Sequence, residues 1–80
     1  MNKSEVRSII ETTLTGGTKT PGLFDLPKIL SLKSKLESCT SISEVIGILE
    51  GSRSFLSKSF GLSDAVFDAG VEKLKALAKS

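Results

Sequence analysis

Eighty residues carrying a net charge of +2 make one small domain, too short for a second core. There is no histidine and a single cysteine, Cys39, which excludes an internal disulfide, a structural zinc site and the commonest general base. With neither Trp nor Tyr, four Phe and many Leu, Ile and Val must build the core, and no dense basic cluster marks a dedicated phosphate binder.

Asn2 or Ser4 caps a first helix running to about Leu14, and Asn2 with Glu5 has capping-box spacing. Val6, Ile9, Ile10 and Leu14 form its apolar stripe. Residues 15–22 contain Gly16-Gly17 and Pro21-Gly22 and read as an exposed, flexible loop. Its Lys19-Thr20 pair matches the end of a phosphate-binding loop. Thr18 stands where glycine belongs, however, and a helix rather than a strand precedes it, so the segment reads as a connector.

Asp25 is the expected cap of a second helix, with Phe24 packing on Ile29 as a hydrophobic staple and Pro27 in the first turn. Ile29, Leu32, Leu36 and Cys39 follow helical spacing, with Leu26 and Leu30 beside them, and the helix is expected to end near Ser38. Lys28, Lys33 and Lys35 read as a solvated face, and Cys39 as a small buried hydrophobe.

Residues 40–51 have the strongest apolar character in the chain. Ser41 and Glu44 form a capping box, and Ile42, Val45, Ile46, Ile48 and Leu49 cover most of a helix circumference. Ser43, Gly47, Gly51 and Ser54 leave one strip of small residues, where a close helix contact is expected. Glycine followed by serine at 51–52 favours a break before a further helical segment, 52–60.

Gly61 is placed as a left-handed cap, Leu62 as a staple onto Phe67, and Ser63 as the cap of a last helix over about 64–78. Gly70 lies within that helix's apolar stripe and is expected at a close crossing, with the strip containing Gly47 as its partner. Asp64, Asp68 and Glu72 form an acidic ridge whose spacing does not match a calcium loop.

These readings predict an all-α fold: a compact bundle of four to five short helices, in a single domain 1–80, around a central apolar helix near residues 42–50. No catalytic, cofactor or metal site is expected. The chain reads as a non-enzymatic helical interaction module whose partner is another protein or a second copy of itself. No apolar run follows Lys3 and no stretch is long enough to span a bilayer, so no leader and no membrane partner are expected, and the expected location is cytoplasmic.

One stretch suggests a different role. Ser41 to Phe60 resembles the two-helix core of helix-turn-helix DNA readers, with Ile42, Val45, Ile48, Leu49 and Leu56 as inward positions. The resemblance implies that Ser52, Arg53, Ser54, Ser57 and Lys58 project from the second helix toward base edges and phosphates. Ile46 and Gly51 depart from that pattern, which has a small residue at the first position and its turn glycine at the place of Glu50.

Overall fold

The computed structural model describes residues 1–80. Asn2 Oδ1 accepts the Glu5 amide at 3.1 Å and so starts α1, Lys3–Thr15. A 3-10 turn, Leu23–Asp25, leads into α2, Leu26–Glu37, with Pro27 in the first turn. Ser41 caps α3, Ile42–Gly51, by accepting the Glu44 amide at 3.2 Å. The Glu44 carboxylate in turn accepts the hydroxyls of Thr40 and Ser41, which closes the box through side chains. Ser52 alone joins α3 to α4, Arg53–Phe60, in a conformation outside the helical region (φ −110°, ψ 11°). Ser63 caps α5, Asp64–Lys79, by accepting the Val66 amide at 3.1 Å.

The five helices form an all-α bundle with two hubs rather than one. α3 touches α2, α4 and α5, as a central apolar helix should. α5 is equally central and touches α1, α3 and α4. Val45 and Leu49 of α3 meet Phe67, Val71 and Leu74 of α5 in one buried cluster, joined by Val6, Leu32, Cys39, Leu56 and Leu62. The second hub arises because α5 is the longest helix and keeps its apolar stripe in register for its whole length.

Two expectations are corrected. First, Ser43, Gly47 and Gly51 are exposed, and no atom lies within 4 Å of where a Cβ would stand on either glycine. The strip faces water because it offers little area to bury, whereas the rest of α3 offers much. Gly70 is buried, but its partner is Thr13 of α1: a Cβ there would run into the Thr13 side chain.

Second, Asp25 makes no capping bond. Its carboxylate accepts the Ser59 hydroxyl at 3.1 Å, and the tight turn before α2 leaves Phe24 fully exposed, so the staple onto Ile29 does not form.

The 15–22 loop is mostly exposed, as its glycines and proline suggest, and its 17–19 segment packs on the end of α4. Gly61 adopts the left-handed conformation (φ 64°) that ends α4, with the Leu62 amide bonded back to the Ser57 carbonyl at 2.9 Å. The carbonyls of Phe60 and Gly61 then lack helical partners, and the loop supplies them: Lys19 N–H to Phe60 at 3.0 Å, Thr18 N–H to Gly61 at 3.2 Å. Gly17 sits so close to the Phe60 carbonyl that a Cβ would collide with it.

The two glycine environments predict opposite signs. Gly70→Ala should destabilise by about 1–3 kcal/mol, because a short β-branched neighbour cannot swing away. Thr13→Ala in the same chain should recover part of that loss. Gly47→Ala, on an open helix surface, should stabilise by roughly 1 kcal/mol. Thermal unfolding followed by circular dichroism reads all three.

Candidate functional site

The residues proposed to read DNA do not share one surface. Arg53 turns toward α5, where its guanidinium donates to Asp68 Oδ1 at 2.8 Å and Asp64 Oδ1 at 3.2 Å, with Glu50 at 3.7 Å. It also lies over the Phe67 ring, 4.6 Å from the centroid. Ser57 points inward, its hydroxyl buried without a partner. Ser52 occupies the junction and makes no cap. Only Ser54 and Lys58 are exposed.

The acidic ridge is accounted for by the same contacts. Arg53 takes Asp64 and Asp68, and Lys75 approaches Glu72 at 3.4 Å. No group of three or more His, Cys, Asp or Glu side chains is placed to hold a metal ion. Cys39 is buried and its thiol donates to the Lys35 carbonyl at 3.3 Å. Burial, then the charge of Glu44, pushes its pKa up, which keeps it a neutral thiol.

The concave feature of the molecule lies elsewhere, between α1 and α2. α1 packs on α5 and α2 packs on α3, and no helix seam joins the two. Lys3 ties them at one end by donating its ammonium to the Glu37 carbonyl at 3.1 Å. Between them runs a groove of about 570 Å³. Val6, Ile10 and Leu14 form one wall, Ile29, Leu32 and Leu36 the other, and Ile48, Leu49, Leu56 and Phe60 the floor. Lys3, Arg7, Glu11, Lys33 and Glu37 make a charged rim. Such a groove can exclude water from an apolar guest.

Exposed apolar side chains continue from its edge. Leu26, Leu30, Lys33 and Glu37 succeed one another at helical spacing along α2, so the two exposed leucines extend the rim. Leu23 is 82% exposed and Phe24 100%. The chain shows 5087 Å² to solvent, against roughly 4,700 Å² expected for a folded monomer of its mass, an excess that fits an unfilled groove.

The groove is not among the sequence-based expectations, although one signal for it was present. Leu26 and Leu30 beside the main stripe gave α2 a wider apolar arc than one neighbouring helix covers, which is a sign of a second contact. Nothing local signalled that α1 and α2 would stand apart.

Compared with protein-family models, curated proteins and solved structures, the chain matches none. No helix is long and apolar enough to cross a membrane.

Arg53 gives a prediction with a definite pH sign. Its hydrogen bond holds the Asp68 carboxyl below the ordinary value of 3.8. A carboxyl with a depressed native pKa stabilises above its unfolded value, and that contribution fades as pH falls through the lower native value. Arg53→Ala should therefore lower Tm near neutral pH. The gap from the parent chain should narrow as pH falls below about 4, leaving the part due to the Phe67 contact. Thermal denaturation at several pH values checks this, and a gap independent of pH would refute the ion-pair account.

Proposed function

We propose that this chain is a small non-enzymatic α-helical interaction module that associates through the α1–α2 groove with a protein surface, a second copy of itself included. The carrying observation is the groove: an unfilled apolar channel bordered by exposed Leu26 and Leu30 and a charged rim. Stable protein contacts are built from an apolar centre within a polar border, and a contiguous exposed apolar patch on a soluble chain marks such a contact. The chain also has the marginal core of a small domain, which association would reinforce.

Binding of duplex DNA by residues 41–60 is the alternative, and the geometry supports it less well. A base-reading arginine must leave its own protein, and Arg53 is engaged by two carboxylates and an aromatic ring. A single residue, Ser52, joins the helices, where helix-turn-helix proteins use a turn of about three to four.

Sedimentation velocity between roughly 5 and 500 μM tests the reading over the range where a weak assembly of this kind would titrate. The expected result is reversible self-association that Leu36→Asp, in the groove wall, weakens at least tenfold while the helical circular dichroism is retained. A monomer at every concentration, with no response to that substitution, contradicts self-association. A gel shift of duplex DNA at low salt that vanishes with Lys58→Ala would instead favour the alternative.

A further inference from the structure

The molecule carries both halves of an apolar contact. The concave half is the groove. The convex half is the turn before α2, where Leu23 and Phe24 stand 82% and 100% exposed. A fully exposed phenylalanine is unusual on a chain that has only four and uses another, Phe67, at the centre of its core. The turn is also anchored. The Asp25 carboxylate accepts the Ser59 hydroxyl, and Ser59 is itself buried. Phe60, the next residue, lines the groove floor, and Ile29, one turn into α2, lines its wall. The knob therefore stands beside the Ile29–Phe60 end of its own groove.

Resting on the interaction reading above, we propose that the groove's occupant is the Leu23-Phe24 knob of a second copy, exchanged reciprocally across a two-fold axis. Because knob and groove end lie side by side on one chain, a two-fold rotation through that region sets each knob at the mouth of the other's groove. The contact is then closed and isologous, so it stops at two chains.

The area is adequate. A buried Phe contributes about 150–250 Å², and with Leu23 the knob offers about 350 Å². The groove wall exposes less than the knob, so the exchange, made twice, buries about 1,100 Å², just above the roughly 1,000 Å² that a specific interface needs. Phe24 is rigid, with two side-chain torsions, so little conformational freedom is lost when it docks.

The absence of Trp and Tyr gives a clean probe. Phe24→Trp changes a side chain that touches nothing in the single chain, so folding is not at stake. Its fluorescence is read from about 1 μM to 1 mM, alongside sedimentation of Phe24→Ser. A benzophenone side chain placed at position 24 locates the contact by photo-crosslinking and mass spectrometry. The proposal requires a blue shift that grows with concentration, a dimer weakened at least tenfold by Phe24→Ser, and intermolecular crosslinks on groove residues near that end, such as Leu14 and Ile29. If dimers form but the indole stays solvent-exposed, or the crosslinks fall outside the groove, the knob is not the occupant while the interaction reading stands. If the chain stays monomeric at 1 mM, both the exchange and self-association fail.

Discussion

The fold depends on how one face of α5 is filled. Phe67, Gly70, Val71 and Leu74 are all buried along that face, and three other helices close on it. α1 can approach because Gly70 has no side chain where Thr13 stands. The Thr13 hydroxyl donates to the Ile9 carbonyl at 2.7 Å, so even the polar atom at this crossing is satisfied. α3 meets the same region through Val45 and Leu49. α2 packs on α3 and has at most a slight contact with α5. That asymmetry opens the groove: α1 follows α5, α2 follows α3, and the space between them is left unfilled.

Polar contacts then hold the corners. Arg53 joins the start of α4 to the first turns of α5, and the left-handed turn at Gly61 presents two carbonyls to which the 17–19 segment binds. The Ser59–Asp25 bond anchors the turn before α2 to α4, and Lys28 lies over the Phe55 ring, 4.5 Å from its centroid, on the same side. Each contact links segments distant in the chain, and two of them engage residues that local pattern reads otherwise: the helix-turn-helix resemblance turns Arg53 toward DNA, and spacing makes Asp25 a side-chain cap.

What could be read from the sequence was what depends on neighbours three or four residues away. The caps at Asn2, Ser41 and Ser63, the left-handed Gly61 and the interruption after Gly51 are all local, because the groups that satisfy a helix end lie within one turn of it. The apolar stripes were legible for the same reason. Which small residue meets which helix was not, since Gly47 and Gly70 look alike in a stripe and differ only in what stands opposite. The groove was not read from the sequence. Leu26 and Leu30 were visible as surplus apolar residues, but a gap between α1 and α2 is a property of two packing angles and of no single segment.

The central claim is that α3 and α5 form one cooperative core and that the turn before α2 is peripheral to it. Native-state amide hydrogen exchange tests this directly, because protection at each amide reports the free energy of the opening that exposes it. The account predicts the slowest exchange at Val45, Leu49, Val71 and Leu74, at rates set by global unfolding, and fast exchange at Leu23 and Phe24. Slowest exchange in α2, with α3 or α5 opening independently of the other, would contradict it.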